Sequence, residues 1–310
     1  MKEEIRKILL SSGAQAVGFA KAGEIDIFVH EAYKDWIQKG WHGEMGYLER
    51  HIPLRQHTDN VLRGAKTVIS LAFSYAPQEY RPSDLPTIAS YAYGKDYHVV
   101  LREILKPLVK NFKQNYGGDW RICIDSAPIA ERYWAIKSGI GKRGINGAVI
   151  VDECGSLCFL AEILTTLEIN PDTPSDEWCD KCGRCVQTCP GKAIKGDGTI
   201  NASKCINYLT IDKKGDFTQK EKEILVTGTG YIYGCDKCLR ICHHNNEKKF
   251  EPKPIFPQLE EILTLTAEKL GVMDEENFKR YFSNSPFLYA GFQRLQRNVC
   301  QLKGKATENT

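Results

Sequence analysis

The fold of this chain is decided by one segment, Cys179-Asp180-Lys181-Cys182-Gly183-Arg184-Cys185-Val186-Gln187-Thr188-Cys189-Pro190. Three cysteines at successive spacings of three residues, followed by a fourth before proline, form the run found in bacterial ferredoxins. The close spacing lets three thiolates wrap one [4Fe–4S] cluster, and the fourth cysteine ligates the other cluster. The segment therefore predicts a ferredoxin-like domain for two [4Fe–4S] clusters.

A second cysteine set completes the pattern. It consists of Cys205 and the later run Cys235-x2-Cys238-x3-Cys242. By ferredoxin logic the first cluster takes Cys179, Cys182, Cys185 and Cys242, and the second takes Cys189, Cys205, Cys235 and Cys238. Structural zinc is the alternative, but zinc sites use separated Cys-x2-Cys pairs with four ligands per ion. The remaining cysteines, Cys123, Cys154, Cys158 and Cys300, have no partner motif, and we predict packed thiols.

The composition is that of a globular protein. The 310 residues are 42% hydrophobic and 26% charged, which allows a sizeable core. The net charge of +3 is too small to argue for nucleic acid binding. Residues 1–15 lack a signal-peptide pattern, and the chain has no apolar run long enough to span a membrane. We therefore expect a cytoplasmic protein whose cysteines serve as metal or redox groups.

The region before the cysteines alternates strand-like and helix-like segments. The apolar and β-branched runs predict strands at Ala16–Ala20, Thr67–Phe73, Arg121–Asp125 and Ala148–Val151, and periodicity predicts helices at Tyr97–Tyr116 and Ile129–Ser138. This alternation predicts an α+β or α/β domain over residues 1–170. After a linker at Asn170–Glu177, we expect the cluster domain over 171–250 and a helical segment over 251–310.

Two short motifs resemble cofactor signatures but lack the required context. Gly139-x-Gly141-x-x-Gly144 follows a predicted helix and precedes a strand, which is the reverse of the order in a dinucleotide site. We expect these glycines to end the helix and shape a loop. Asp96-x-His98 begins like a cobalamin-ligand signature, but Leu101 stands where that signature needs glycine. We expect His98 to be a polar cap or a packed side chain.

Taken together, the motifs resemble the epoxyqueuosine reductase family over essentially the whole chain. The matching segments are Gly64–Ile69, Tyr93–His98, Asp125–Arg132, Gly155–Thr165, Cys205–Ile211, Tyr233–Cys238 and Arg294–Asn298. The resemblance implies a cobalamin-binding catalytic domain, similar to that of reductive dehalogenases, joined to the two-cluster domain. It implies base-off cobalamin with no histidine below the cobalt.

The resemblance also implies an activity and a set of site residues. Family members reduce epoxyqueuosine to queuosine at the wobble position of tRNA, with electrons passing from the clusters to cobalamin. The family's proton donor falls on Asp125, which also lies at the corrinoid. Corrinoid contacts are implied at Arg55, Ala89, Val149, Leu160 and Ile163, and contacts with cofactor or substrate at Asn207 and Thr210.

Asp125 has a second interpretation from sequence alone. Asp-Ser-Ala-Pro is good chemistry for a helix N-cap, and that interpretation leads until the family resemblance is weighed. As a proton donor shielded from water, Asp125 would need a raised pKa.

The expected partners are tRNA carrying epoxyqueuosine and an external low-potential electron donor. We expect a monomer with no membrane association. Basic side chains beside the second cysteine set could contact tRNA phosphates or form a solvated surface; they are Lys237, Arg240, Lys248 and Lys249.

The chain departs from the family pattern in three places. Lys142–Asn146 replaces a Trp-x-Gly-Lys-Asn run, and His243-His244 follows Cys242 where proline is usual. We expect no C-terminal repeat extension like that of longer members, so tRNA would be held differently or more weakly. Two other functions stay open at this point: a reductive dehalogenase, which would normally carry an export signal, and a ferredoxin-type electron-transfer protein.

Overall fold

The computed structural model describes residues 1–228, 230–246 and 255–303. The strands are β1 Ala16–Lys21, β2 Thr67–Ser74, β3 Thr87–Ile88, β4 Trp120–Cys123, β5 Lys142–Arg143, β6 Val149–Ile150, β7 Cys158–Thr165 and β8 Tyr231–Tyr233. The helices before the cysteine sets are α1 Lys2–Ser11, α2 Ile27–Gln38, α3 Tyr47–Arg50, α4 Ile52–Gln56, α5 Tyr97–Tyr116 and α6 Glu131–Lys137.

Short helices carry the cysteine sets, and further helices follow them. Around the cysteines lie α7 Arg184–Gln187, α8 Ile206–Ile211, α9 Gln219–Thr227, α10 Lys237–Arg240 and α11 His243–Asn246. The C-terminal helices are α12 Glu260–Leu263, α13 Ala267–Gly271, α14 Glu275–Tyr281, α15 Phe287–Ala290 and α16 Phe292–Lys303. None of the helices in the described residues is both long and apolar enough to cross a membrane.

The main sheet has four strands in the order β1-β2-β7-β4, and every neighbouring pair is antiparallel. Of the two predicted forms, the domain is therefore α+β. The predicted strand Ala148–Val151 forms only as the short β6, which pairs with β5 outside this sheet. Predicted helix α5 has the expected bounds.

Each face of the sheet is covered by helices. Phe19, Ile69 and Ile163 lie on the face that packs against α1 and α5. The opposite face packs against α6 through Trp134 and Ala135. Alternate residues of a strand point to opposite faces, so β7 contributes to both cores.

The loop after α6 confirms the interpretation of its glycines. Gly139 follows the helix with φ of +75°, a conformation that favours glycine. A Cβ on Gly141 would lie 2.6 Å from the Ile150 carbonyl oxygen. The glycines therefore end a helix and let β5 and β6 approach closely.

The three predicted segments pack against one another. β3, from the first segment, pairs in parallel with β8, which directly precedes Cys235. Ile88, Ile232 and Leu263 share one buried cluster with the C-terminal helices. In the linker, the Asp172 carboxylate pairs with Lys2 at 2.7 Å and Arg6 at 2.9 Å. The boundaries near residues 170 and 250 remain predictions.

Asn298 fixes α16 to the rest of the protein. Its buried amide nitrogen donates to the carbonyl oxygens of Thr210 at 2.8 Å and Ile232 at 2.9 Å. We expect Asn298→Ala to lower the free energy of unfolding by about 2–3 kcal/mol, because both carbonyls lose their buried donor. Denaturant unfolding of the cluster-loaded protein measures this, with the exposed Gln293→Ala on the same helix as control. Equal stabilities would contradict the assigned role.

Candidate functional site

The structure separates the eight motif cysteines into two groups. Burial raises the pKa of Cys242, and the neighbouring thiols Cys179 and Cys182 raise it further. The same two neighbours act on Cys185. Cys242 of the second sequence set thus lies in one group with three thiols of the first set.

The second group is more deeply buried. Burial raises the pKa of Cys235 to about 12, and the nearby Cys205 and Cys189 contribute to the shift. Cys238 has the same two neighbours, and Cys185 of the first group also lies near it. Cys182 of the first group is exposed. These neighbours are the ones that the sequence predicts for each cluster, and the ligation itself stays a prediction.

The sequence spacing of the cysteines disfavours zinc, because it is that of a two-cluster ferredoxin and not of the separated pairs that bind zinc. Among the described residues, Asp180, His243 and His244 form a compact group whose ligand atoms lie within 4.8 Å of one another.

Backbone amides point at the thiols. The Ile145 N–H donates to Cys179 Sγ at 3.4 Å, and the Ala193 N–H to Cys189 Sγ at 3.3 Å. The backbone N–H of Asn207 donates a hydrogen bond to the Cys205 thiol. Such hydrogen bonds stabilise thiolates and tune cluster potentials. Ile145 belongs to the unusual 142–146 loop, so that loop supports the first cysteine group.

The other cysteines only partly follow the prediction. Cys123 and Cys154 are buried thiols, as expected, and Cys158 is partly buried. Cys300 is exposed on α16, so the prediction of a packed thiol is wrong there. Cys300 lies on the face of α16 that turns away from the C-terminal core.

The Asp125 side chain pairs with a histidine and does not cap a helix. His98 Nε2 lies 3.2 Å from Asp125 Oδ2, and His98 Nδ1 lies 2.9 Å from Asp96 Oδ1. The next helix begins at Glu131 after Ala130, without a side-chain cap. The N-cap interpretation of Asp125 is therefore wrong. Asp125 has φ of +45°, a strained value for a residue other than glycine.

In the Asp125–His98 pair, the shared proton resides on the histidine. Partial burial acts to raise the pKa of Asp125, but its side chain is 59% exposed, and the hydrogen bond and charge of His98 outweigh the burial and lower the pKa. Burial would lower the pKa of His98, but bonds to Asp125 and Asp96 raise it to about 9. The expectation of a raised pKa for Asp125 is thus wrong. That expectation took account of burial but not of the His98 cation, which lies 27 residues away in sequence.

Two further carboxyl groups lie behind Asp125. The Asp125 N–H donates to Glu131 Oε1. Burial and the charge of Asp125 raise the pKa of Glu131. Glu162, at the centre of β7, is fully buried, neither of its oxygens has a hydrogen-bond partner, and burial raises its pKa strongly. Both groups favour the neutral form.

Several charged and phenolic groups share a surface with Asp125, which we call the Asp125 surface: Arg55, Tyr47, Asp125, Asp212 and Tyr289. Burial and then the charges of Asp212 and Asp125 raise the pKa of Tyr47 to about 12. The Tyr289 hydroxyl donates to Asp212 at 3.0 Å. Arg55 Nε is buried without a hydrogen-bond partner. An unpaired buried donor suits a site that binds a polar ligand.

The predicted corrinoid positions divide into two kinds. Arg55, Leu160 and Asn207 are partly accessible, and Val149 is buried in a cluster beside Leu160. The others, Ala89, Ile163 and Thr210, are fully buried.

The buried positions have structural partners. The Ala89 N–H donates to the Tyr233 carbonyl at 2.9 Å, and Thr210 Oγ1 accepts from the Gly234 N–H at 3.0 Å. Ile163 points to the face of β7 opposite Leu160 and packs in the core. These three side chains pack inside the protein in this structure, and their contact with a cofactor stays a prediction.

Sequence reasoning missed the residues that surround Asp125. His98 was taken as a cap or packed side chain, and Glu131 and Glu162 were not singled out. The signal for the two glutamates was available: a charged residue within each apolar run. The signal for His98 was not, because only the fold brings it to Asp125.

A domain with two groups of four thiols, beside a surface of coupled acids and phenols, has the arrangement of an iron–sulfur oxidoreductase. Two family models match the chain: "Epoxyqueuosine reductase QueG, DUF1730" over residues 55–126 and "4Fe-4S double cluster binding domain" over residues 178–245. The epoxyqueuosine reductase of Cyclobacterium marinum is 35% identical, with 96% of this chain and 97% of that protein covered. The chain belongs to the epoxyqueuosine reductase family.

Solved structures support the same family. An epoxyqueuosine reductase crystallised with an epoxyqueuosine-modified tRNA-Tyr stem loop is 28% identical with a TM-score of 0.86, over 97% of this chain and 80% of that one. The reductive dehalogenase NpRdhA is 14% identical with a TM-score of 0.51, over 96% of this chain and 37% of that one. The second likeness concerns the fold alone, so the dehalogenase alternative gains no support.

The cysteine grouping predicts the outcome of single substitutions. Cys179→Ser and Cys235→Ser should each lower bound iron by about half, because each thiol serves a different [4Fe–4S] cluster. Iron counting on anaerobically purified protein measures this. Cys300→Ser lies outside both groups and should leave the iron content unchanged. Stoichiometric zinc in place of iron in the unsubstituted protein would refute the cluster assignment.

Proposed function

We propose that this enzyme reduces epoxyqueuosine to queuosine at the wobble position of tRNA, the last step of queuosine biosynthesis. The observation that carries the proposal is the Asp125–His98 pair on an accessible surface, in a chain of this family. Removing the epoxide oxygen breaks two C–O bonds, forms a C=C bond and releases water. The reaction consumes two electrons and two protons.

We propose two [4Fe–4S] clusters and base-off cobalamin as the cofactors. When bound, the clusters would supply electrons singly and cobalamin would hold them at low potential. Arg55, Val149, Leu160 and Asn207 are the residues that we retain for the corrinoid. Support comes from the unpaired Arg55 Nε and from the fold shared with a reductive dehalogenase.

The protein's own contribution is a positioned proton. Asp125 accepts a hydrogen bond from His98, whose raised pKa keeps it protonated at neutral pH. A proton passed from His98 through Asp125 would reach the opened epoxide oxygen. This transfer would leave a neutral His98 beside the Asp125 carboxylate. Asp96 orients the His98 ring from its other nitrogen.

The partners follow from the same proposal. We propose tRNA as the substrate, an external low-potential electron donor, a monomeric enzyme and a cytoplasmic location. The exposed Cys182 supports electron entry at the first cluster. Of the predicted phosphate contacts, Arg240 stacks 4.0 Å above the Tyr80 ring, while Lys248 and Lys249 lie outside the described residues. Their contact with tRNA stays a prediction.

Asp125→Asn tests the proton path. Asn has nearly the same shape but cannot carry the proton, so single-turnover conversion of epoxyqueuosine should fall by about 10²- to 10⁴-fold. The variant should still fold and bind both clusters. The control is Asp119→Asn, an exposed aspartate paired with Lys113, which should react at the normal rate. Full activity in Asp125→Asn would remove this residue from the mechanism.

The pH dependence tests the role of His98. The raised pKa means that the proton is present below about pH 9 and lost above it. The single-turnover rate should therefore fall as the pH rises through about 9. In His98→Gln the rate should be low and this alkaline fall should disappear. A fall centred near the ordinary histidine pKa of about 6.5 would contradict the coupling to Asp125.

A further inference from the structure

The two cysteine sets share an identical tetrapeptide, Cys-Asp-Lys-Cys, at Cys179–Cys182 and Cys235–Cys238. The aspartates of the two copies have opposite surroundings. The side chain of Asp180 is 58% exposed and lies 2.7 Å from His243 Nε2 and 3.5 Å from His244 Nε2. Asp236 is 1% exposed. The chain thus contains a matched pair of carboxylates, one in water and one buried.

Neutral donors bind the buried carboxylate. The Ser90 N–H and Ser90 hydroxyl donate to Asp236 Oδ2 at 2.9 and 2.8 Å, and the Tyr231 hydroxyl donates to Oδ1 at 2.7 Å. All three contacts use the carboxylate as an acceptor, which is the role of its ionised form. None of the ion pairs found among the described residues includes Asp236. Its negative charge is held in place without a cation at contact distance.

One cation that attracts this charge, Arg240, does not form an ion pair with it. Arg240 lies in the following helix, exposed to solvent, with its guanidinium stacked on Tyr80. Asp236 contributes to raising the pKa of Arg240, which records attraction at longer range. Asp236 directly follows Cys235 and lies two residues before Cys238, so the chain holds it next to two thiols of the second cysteine group.

Reducing a [4Fe–4S] cluster by one electron adds one negative charge to it. A fixed carboxylate beside the cluster repels that charge, and the repulsion is strong where water is excluded. Cluster potentials respond to local charge, hydrogen bonds and solvent exposure. At Asp180, in contrast, water and two imidazoles weaken the field.

We propose that Asp236 is a potential-setting residue that lowers the reduction potential of the second cluster, while its counterpart Asp180 has little effect on the first. The assignment rests on the cluster ligation proposed above and does not depend on the substrate. Ser90 belongs to the first predicted domain, so its two hydrogen bonds link that domain to Asp236 beside the second cluster.

A redox titration of the anaerobic holoenzyme, followed by electron paramagnetic resonance, tests the assignment. Asp236→Asn removes the charge and keeps the shape, so the second cluster should become about tenfold easier to reduce, a rise of about 59 mV for a one-electron couple. Asp180→Asn should move the midpoint of the first cluster much less. An unchanged midpoint in Asp236→Asn, or an equal shift in both variants, would overturn the proposal.

Two further variants apply if Asp236→Asn fails to load both clusters. Ser90→Ala and Tyr231→Phe each remove one donor and leave the carboxylate charge less compensated, so the midpoint of the second cluster should fall. An unchanged or higher midpoint in both would contradict the proposal. Absence of any [4Fe–4S] signal in the unsubstituted protein would instead refute the cluster assignment, which separates the two failures.

Discussion

The structure depends on an exchange of thiols between two cysteine sets. Cys242 joins Cys179 and Cys182, while Cys189 lies with Cys205 and Cys235. Because each group needs a thiol from the other set, residues between 179 and 242 must fold as one unit. β8, which directly precedes Cys235, pairs with β3 of the first segment and thereby ties this unit to the sheet domain.

Charge placement distinguishes the two halves of the site. Around Asp125, burial alone would produce neutral carboxyl groups, and it does so at Glu131 and Glu162. Asp125 differs because His98 supplies a positive charge at hydrogen-bond distance. In the cysteine unit, Asp236 is bound by neutral donors, and none of the ion pairs among the described residues includes it.

Local sequence predicted the parts of the molecule that depend on local spacing. Seven of the eight motif cysteines stand at intervals of three or four residues, which predicted the two-cluster pattern, and α5 has its predicted bounds. Features that depend on pairing between distant segments were not predictable. The antiparallel strand order requires knowledge of the sheet, and the contact of His98 with Asp125 requires the fold. The burial of Ile163 in the core was not predictable from motif alignment, because it depends on the alternation of side chains along β7.

Mass analysis of tRNA nucleosides, from cells that contain the protein and from cells that lack it, tests whether this enzyme makes queuosine from epoxyqueuosine in tRNA. We expect epoxyqueuosine to accumulate without the protein. Queuosine should return when the intact gene is supplied but not when Asp125→Asn is supplied. Normal queuosine in cells that lack the protein and any other enzyme of this family would show that the enzyme does not catalyse this step.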